Sequence, residues 1–400
     1  MAYFNAAEKG NETLLGRTHS DKSIPDSTKR LIDEYVNFSR ARGVTDRTVL
    51  KNLYGISALL KVIGNKDLGS ASKADMEQAL AGIERSKYAA KTKQNIKVTV
   101  KSFYKHAMGE DLYYPKNVAW IKTSLSMKKR VLPEDILSEE DIIAMIKAAK
   151  HARDKAIISL LFDSGMRIGE LLGMRVKDAD LASQPAHVTV NGKTGMRKIP
   201  ILFSVPYMAQ YLNSIQERRP EDAMWVGTGT WHNTSGPDYA GIRKMVKDTA
   251  KAAGIGKRIY PHLFRHSRAT NYANRLTEQQ LKQFFGWTGD SRQAATYVHL
   301  SGRDIDNAVL EANGFEPHER SSASRLKAKT CPKCRYDNPI ESIYCNRCGA
   351  PLSMEIAIAE QKTEAELRES LLESVKDPKL IEEMVHRYLE EKSKRRNARQ

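Results

Sequence analysis

The sequence has little cysteine and no long apolar run. Its four cysteines fall within one 18-residue window, at Cys331, Cys334, Cys345 and Cys348. No other cysteine could build a disulfide framework, so we expect an intracellular protein with one local metal site. No segment approaches the ~18 consecutive apolar residues of a membrane span, and the N-terminus lacks the pattern of a signal peptide. We therefore expect neither membrane insertion nor secretion.

Positive charge dominates the composition. Lys and Arg number 65 against 48 Asp and Glu, which gives a net charge of +17, and 40% of residues are hydrophobic. That hydrophobic fraction is ordinary for a protein with a buried core, and the length suffices for about two or three domains. The positive excess favours a polyanionic partner, and nucleic acid fits better than an anionic membrane surface.

Patterning predicts a mainly α-helical protein with one small antiparallel β-sheet. Apolar residues recur at helical spacing in two long regions, Ser138 is a candidate N-cap, and His187–Val190 with Arg197–Ile201 predict a β-hairpin. The predicted segments are a flexible polar arm (1–24), a four- or five-helix bundle (25–120), a basic linker (121–136), an α-rich domain with the hairpin (137–314), a polar linker (315–329), a cysteine-rich segment (330–352) and a charged helical tail (353–400).

Two basic stretches are candidate nucleic-acid contacts. Between Arg85 and Lys105 there are seven basic residues and no acidic one, and four lysines repeat at intervals of four along a predicted helix. Such a row occupies one helix face, which fits either an ordinary solvated surface or contact with phosphates. The candidates are Lys93, Lys97, Lys101 and Lys105 in the helix and Lys128, Lys129 and Arg130 in the linker.

The α-rich domain contains patterns that could carry chemistry. In Asp163–Leu171 a helix break places Arg167 at the start of a new helix, where its guanidinium and the backbone N–H groups could bind a phosphate. Glu170, one turn further on, could hold that guanidinium in place. Lys193 follows Asn191-Gly192 in the hairpin turn, and its long side chain could reach over a bound nucleic-acid backbone.

Two further patterns bring titratable groups to the same domain. Pro261 suits the first position of a helix, and His262 and Arg265 are spaced to share a face of that helix. An imidazole beside a fixed cation suits proton transfer and charge stabilisation in phosphoryl transfer. Phe285–Trp287 is followed by Tyr297, whose phenol can act as a covalent nucleophile where cations stabilise its oxyanion.

In this order the patterns resemble the tyrosine recombinases, the phage integrase family of site-specific DNA recombinases. The resemblance covers residues 25–312. Asp163–Leu172 resembles the family's first arginine box and Gly192–Gly195 its catalytic-lysine hairpin. His262–His266 resembles the second box, and Phe285–His299 resembles the closing box with the nucleophile.

The resemblance implies that Tyr297 attacks a DNA phosphate, forms a 3′-phosphotyrosine and releases a 5′-hydroxyl. Arg167 and Arg265 then bind the non-bridging oxygens, Lys193 protonates the departing oxygen, and His262 handles the tyrosine proton. The phosphotyrosine conserves the energy of the broken bond, so neither ATP nor any catalytic cofactor is expected. The lack of a Gly-rich Lys-Ser/Thr phosphate loop agrees with this.

Trp287 departs from the usual family pattern, which has histidine at that position. Tryptophan only donates a hydrogen bond, so phosphate binding is kept while proton shuttling there is excluded. The resemblance also implies that residues 25–120 form a core-binding domain that clamps double-stranded DNA with the catalytic domain. It implies a homotetramer on two DNA sites, a monomer or weak oligomer without DNA, and a subunit-exchange helix at Ile305, Val309 and Leu310.

The neighbours of these residues have plainer interpretations. We expect His266 and His299 to pack or form hydrogen bonds around the site, and Glu170 to be a partner of arginine rather than a base. Tyr272 is expected in the core. It would be the next candidate nucleophile if Tyr297 proved dispensable.

The cysteines form two C-x-x-C knuckles separated by ten residues. Four thiolates in this arrangement make a closed tetrahedral zinc site, which would be structural, and a pair of disulfides is the alternative. The segment resembles the short zinc ribbons appended to many archaeal proteins and suggests an archaeal integrase. Lys333, Arg335 and Arg347 favour DNA over another subunit as the partner of the ribbon, without deciding between them.

Other functions fit parts of the same pattern. A type IB topoisomerase shares the chemistry, a catalytically silent regulator shares the fold, and a zinc-ribbon adaptor would leave most of the chain unexplained. The box at His262 and Arg265 favours the recombinase. We expect it in the cytoplasm, associated with the nucleoid and belonging to a mobile element, while integration, excision and dimer resolution stay open as its task.

Overall fold

The computed structural model describes residues 2–107, 113–124, 136–192, 194–215, 218–227, 236–273, 275–300, 309, 313–315, 324–374 and 378–397. The chain divides into two compact units, residues 1–130 and 131–400. Lys128, Lys129, Arg130 and Lys193 fall outside the described residues. Among the helices that are described, none has the length and apolarity to cross a bilayer.

The first unit is a helical bundle around one apolar core. Ile32, Tyr35 and Val36 line the buried face of its second helix, and Phe103 and Tyr104 are fully buried in its fifth. Apolar residues at this spacing give each helix a stripe that is buried against its neighbours. Within the described residues its helices are α1 (Ala2–Ser20), α2 (Asp26–Ala41), α3 (Asp46–Ile63), α4 (Lys73–Arg85), α5 (Ala90–Ala107) and α6 (Lys116–Ala119).

The expectation of a flexible arm over residues 1–24 is wrong, because α1 packs on the bundle. Leu14 and Leu15 lie against the core of the unit. The fully buried Asn11 donates from its side-chain amide to the backbone oxygen of Asp46 at 3.1 Å. A Cβ at Gly10 would come within 2.9 Å of Leu50 Cδ2, so the two helices approach closely there. The helix uses few apolar residues, and this is why its sequence shows no periodicity.

The second unit is mainly helical with a small antiparallel sheet, as predicted. Strands β1 (Ala179–Asp180), β2 (Ala186–Gly192) and β3 (Gly195–Ile201) lie in the order β1-β2-β3, and the hairpin closes with Gly192 opposite Gly195. The described helices are α7 (Glu139–Ala148), α8 (Ala152–Ser164), α9 (Ile168–Leu172), α10 (Val205–Ser214), α11 (Tyr239–Ala252), α12 (Pro261–Ala273), α13 (Glu278–Phe285), α14 (Gln293–Leu300), α15 (Met354–Ser374) and α16 (Pro378–Asn397).

Helix α8 runs through the core of this unit and ends where the site begins. Every residue from Ala156 to Ser164 is buried. The helix stops at Gly165, whose φ of +56° is a left-handed conformation that glycine adopts without strain. A Cβ there would come within 2.4 Å of Phe285 Cε1, so close packing also requires glycine. The chain then turns into α9, which contacts β2.

The cysteine-rich segment is docked on the rest of the second unit. The Glu341 carboxylate accepts hydrogen bonds from Tyr207 Oη at 2.6 Å and Lys155 Nζ at 2.7 Å, and Ile340 packs against the core. The short strands β4 (Lys329–Thr330) and β5 (Asp337–Asn338) pair within this segment. The end of the predicted 315–329 linker is also packed, because Leu326 is buried in the core of the unit. It therefore belongs to the domain rather than to a linker.

Candidate active site

The second unit brings five of the six predicted catalytic residues to one place. Short contacts link the turn after α8, the start of α12 and the connection between α13 and α14. The residues brought together are Arg167, His262, Arg265, Trp287 and Tyr297. Lys193 lies outside the described residues. Its neighbour Thr194 donates from Oγ1 to the Gly286 backbone oxygen at 3.0 Å, so the hairpin turn contacts the residue before Trp287.

Arg167 occupies the N-cap of α9, as the helix break predicted. Its Nη1 donates to Glu170 Oε1 at 2.8 Å and its Nη2 to the Gly286 oxygen at 3.3 Å. About a third of the side chain stays accessible, since its exposed fraction is 31%. A guanidinium has five N–H donors, so further donors remain for an anion.

Glu170 forms ion pairs with two arginines of the site, and it is only 3% exposed. Its carboxylate pairs with Arg167 and also with both terminal nitrogens of Arg197, each at 2.8 Å. Burial alone would raise its pKa, but the hydrogen bonds from Arg197 and from the Arg167 backbone lower that pKa to about 2. The predicted partnership between Glu170 and Arg167 is confirmed.

Arg197 was missed by sequence reasoning. It lies on β3, and besides Glu170 it binds the Phe284 backbone oxygen through Nε at 3.2 Å. It therefore ties the hairpin that carries Lys193 to α9 and to the end of α13. Its alternation with Ile199 and Ile201, which are fully buried, is the signal that could have placed it on the inner face of the strand.

Arg265 is nearly buried, with 3% exposure. Its Nη1 donates to the Gly165 oxygen at 3.0 Å and its Nη2 to the Phe285 oxygen. The guanidinium carbon lies 5.5 Å from the centre of the Trp287 ring. Burial and then the charge of Arg167 lower the pKa of Arg265, yet a guanidinium stays charged at neutral pH. A fixed, desolvated cation with unused donors is therefore present in the site.

Tyr297 lies in α14 with its side chain 7% exposed. Its ring stacks on Trp287 with centroids 5.4 Å apart and planes within 2°, and Trp287 stacks in turn on Phe285. The phenol oxygen shares a hydrogen bond with His266 Nδ1. Burial raises the pKa of Tyr297 to about 12, although Arg265 acts in the opposite direction. The phenol is therefore protonated at neutral pH.

His262 contacts the other histidine. Its ring meets that of His266 edge to face with centroids 4.5 Å apart, and its side chain remains exposed at the rim of the site. Partial burial, followed by the charges of His266 and Arg265, lowers its pKa. His266 was expected to pack or form a hydrogen bond near the site, and it binds the phenol itself. The side chain of His299 is outside the described part of the structure.

Tyr272 has a structural environment, as expected. Its ring packs edge to face on Phe284, and its hydroxyl accepts from Arg268 Nη2 at 2.6 Å. Arg268 also pairs with the buried Asp163 at 3.1 Å. Asp163 accepts hydrogen bonds from the backbone N–H groups of Leu202 and Ser204, so this network joins α8, α12 and the end of β3.

The lysine row of α5 is largely engaged within its own unit. Lys97 Nζ lies 2.6 Å from Glu84, and Lys93 lies 3.9 Å from the same carboxylate. Lys101 donates to the Ile121 backbone oxygen at 3.1 Å, and Lys105 lies over the ring of Tyr114. Glu84 falls one residue before the acid-free stretch, so the sequence window concealed this partner.

The four cysteines form one cluster suited to a metal. Their sulfur atoms all lie within 4.8 Å of one another, and the Cys331–Cys348 and Cys334–Cys345 pairs are each 3.6 Å apart. A disulfide would need about 2.05 Å, whereas a tetrahedral zinc with bonds of about 2.3 Å separates its sulfur ligands by about 3.8 Å. The geometry therefore fits a metal better than disulfides. Asn338 Nδ2 lies 3.6 Å from Cys345 Sγ and supports the cluster from outside.

The chain is similar in sequence to known tyrosine recombinases. Residues 135–303 match the model of the phage integrase family. The tyrosine recombinase XerD of Staphylococcus saprophyticus is 26% identical over 301 residues, 72% of this chain and 98% of that protein. The tyrosine recombinase XerA of Pyrococcus furiosus is 22% identical over 289 residues, 72% of this chain and 95% of that protein. A lambda integrase dimer bound to a COC′ core site has the same fold, with a TM-score of 0.54 at 19% identity over 69% of this chain and 78% of that one. Residues 135–303 therefore form a domain of the phage integrase family, and over 72% of its length the chain is similar to a tyrosine recombinase.

Proposed function

We propose that this protein is a site-specific recombinase that cleaves and rejoins DNA strands through a covalent bond between Tyr297 and a 3′-phosphate, without ATP or a catalytic metal. The observation that carries the proposal is the phenol of Tyr297, buried beside Arg265 and bonded to a histidine. A phenol becomes an effective nucleophile when a neighbouring base takes its proton. Nearby cations then stabilise the charge that develops on the phosphate.

Each remaining residue has a distinct task in this reaction. Arg167 and Arg265 bind the non-bridging oxygens through N–H groups that the protein leaves unused. Lys193 gives a proton to the departing 5′-oxygen. Trp287 holds the phenol by stacking on it and offers its indole N–H to the phosphate. The tyrosine proton goes to one of the two histidines, and rejoining runs the same steps in reverse.

The partner is double-stranded DNA, bound by a homotetramer on two sites. Support comes from structures of the same fold, which include a lambda integrase tetramer bound to a Holliday junction and a Tn1549 transposon integrase in complex with transposon right end DNA. The net charge of +17 supports phosphate contact along the surface. The predicted exchange residues Ile305 and Leu310 lie outside the described residues.

The lysines of α5 and the linker remain the proposed contacts with the DNA backbone. Lys93, Lys97 and Lys122 line one small cavity together with the first residue of α5, a concentration of positive charge suited to a phosphate. Glu84 occupies the same cavity. A phosphate must therefore displace this carboxylate from Lys97, which reduces the net gain from that contact. Lys101, Lys105, Lys128, Lys129 and Arg130 complete the proposed set.

The metal is zinc, held by Cys331, Cys334, Cys345 and Cys348 in a structural site. Four thiolates leave no open position for a substrate, so the ion stabilises the ribbon rather than taking part in strand transfer. Because Glu341 fastens the ribbon to α8 and α10, zinc supports the catalytic unit. It remains a prediction that the source is archaeal, since the similar proteins come from bacteria and archaea alike. It also remains a prediction that the protein belongs to a mobile element and acts on the nucleoid in the cytoplasm.

The proposal is tested by trapping the covalent intermediate. The purified protein is incubated with nicked duplexes that tile its host locus, and protein–DNA adducts are resolved on a denaturing gel. We expect an adduct with the wild type and none with Tyr297→Phe, while Tyr272→Phe as the matched control retains it. An adduct that persists in Tyr297→Phe and disappears in Tyr272→Phe would assign the nucleophile elsewhere.

A further inference from the structure

We propose that His266, rather than His262, takes the proton of Tyr297 when the strand is cut. This inference rests on the proposed function and concerns the activation of its nucleophile. The resemblance to the recombinase family implied His262 for this step. The structure bonds the phenol oxygen to Nδ1 of His266, one turn further along α12.

Geometry separates the two histidines. The His266 ring lies 5.8 Å from the Tyr297 ring, centre to centre, and their polar atoms meet directly. His262 touches the side of the His266 ring at 4.5 Å and is exposed at the rim of the site. A general base must lie within hydrogen-bond reach of the proton that it takes. His266 meets this condition, and His262 is placed to meet the phosphate instead.

The surroundings hold the phenol in this position. Trp287 stacks on Tyr297 nearly in parallel, and Phe285 stacks on Trp287, so the phenol ring has little freedom to swing. The His266 ring is packed edge to face against the His262 ring, with centroids 4.5 Å apart. A nucleophile and base that are both fixed by packing need no rearrangement before proton transfer.

Charge keeps His266 ready to accept a proton. Burial, followed by the positive charge of Arg265, lowers the pKa of His266 below its ordinary value of 6.5. The imidazole is therefore mostly neutral at pH 7, and in the tautomer that the proposal requires the hydrogen is on Nε2 and the free pair on Nδ1 faces the phenol. The charged and titratable groups around the phenol–imidazole pair are His262, Arg265, Arg167 and Tyr260.

The step is balanced in atoms and charge. The Tyr297 oxygen forms a bond to phosphorus while the bond from phosphorus to the 5′-oxygen breaks. The phenol proton moves to His266 Nδ1, and the 5′-oxygen receives a proton from the proposed acid, Lys193. During rejoining the 5′-hydroxyl gives its proton to Lys193 and attacks phosphorus, the bond from phosphorus to the Tyr297 oxygen breaks, and His266 returns its proton to the phenol. The new imidazolium beside Arg265 is offset by the negative charge of the phosphate.

The experiment measures single-turnover cleavage of a nicked duplex across pH for wild type, His266→Ala, His266→Gln and His262→Ala. We expect His266→Ala to be slower by about 10²-fold or more near pH 7, because general base catalysis contributes that much. The deficit should shrink as pH rises toward the phenol pKa of about 12. Glutamine can accept the hydrogen bond but cannot hold the proton, so His266→Gln should stay slow.

A substrate with a 5′-bridging sulfur separates the base from the acid. A thiolate leaves without protonation, so this substrate rescues variants that lack the general acid but does not rescue His266→Ala. Recovery of the wild-type rate by His266→Gln would reduce His266 to a positioning residue and overturn the proposal. The proposal would also be overturned if His262→Ala were the one variant whose cleavage rate no longer falls at low pH.

Failure of the inference can be told from failure of the proposed function. If Tyr297→Phe still forms the adduct, both ideas fall together. If Tyr297→Phe is inactive and His266→Ala cleaves like the wild type, only the role of His266 falls. Thermal unfolding and DNA binding of each variant show whether it is folded, and His266→Gln is the conservative replacement if alanine proves unstable.

Discussion

The buried carboxylate of Glu170 provides the sharpest stability prediction. It binds two arginines and is 3% exposed, and its pKa is lowered from 4.5 to about 2. Lowering the pKa by this amount corresponds to about 3 kcal/mol of stability at neutral pH. We therefore expect Glu170→Gln to lower the Tm of the catalytic unit by roughly 6–12 °C, at about 2–4 °C per kcal/mol for a domain of this size.

The pH dependence of the same variant follows from the direction of the shift. The folded-state pKa is depressed, so the stabilisation is complete above pH 4.5 and disappears as the pH falls toward 2. The difference in unfolding free energy between wild type and Glu170→Gln should narrow over that range. Glu278→Gln removes an exposed carboxylate on α13 and is the matched control, expected within about 0.5 kcal/mol of wild type.

A double-mutant cycle tests the reason for the loss. Glu170→Gln leaves Arg197 buried without its counterion, whereas Arg197→Met removes that charge. The double variant should therefore be more stable than the sum of the two single losses predicts. The argument from buried charge would be refuted if Glu170→Gln had the same Tm as Glu278→Gln. It would also be refuted if the losses of unfolding free energy in Glu170→Gln and Arg197→Met were strictly additive in the double variant.

Two further perturbations test the packing around the site. Gly165→Ala should lower the free energy of unfolding by at least ~2 kcal/mol, because φ is positive and the new Cβ would meet Phe285. Gly169→Ala is the control: its Cβ meets nothing within 4 Å, so it should be neutral or stabilising. Equal effects of the two substitutions on Tm would contradict this reasoning. Removing metal with a chelator should lower the Tm of the wild type, because Glu341 docks the ribbon on the core. The same chelator should leave the Tm of Cys345→Ser unchanged. A wild type indifferent to chelation would show that the ribbon needs no metal.

Local signals in the sequence predicted local structure well. Ser138 caps α7 through a reciprocal pair with Asp141, α12 begins at Pro261, and the helix break expected in Asp163–Leu171 occurs after Ser164, the last residue of α8. These features depend on interactions within one helical turn, so a short window contains all that decides them. Glu170 was found for the same reason, because its partner Arg167 lies three residues away.

Contacts between distant residues explain what was missed. Arg197 lies 27 residues from Glu170, and His266 lies 31 residues from Tyr297, so no window of sequence joins them. Helix α1 has too few apolar residues for a periodic pattern and is held partly by the buried amide of Asn11. Leu326 looked like part of a polar linker because the residues around it are polar, yet it is buried in the core.

The most direct test of the central claim is the identity of the residue that carries the DNA. The covalent adduct formed on a nicked duplex is digested with protease and nuclease, and the modified peptide is sequenced by mass spectrometry. The account predicts a nucleotide attached through its 3′-phosphate to the phenol oxygen of Tyr297, on the peptide from α14. A nucleotide on any other side chain, or one attached through a 5′-phosphate, would contradict it.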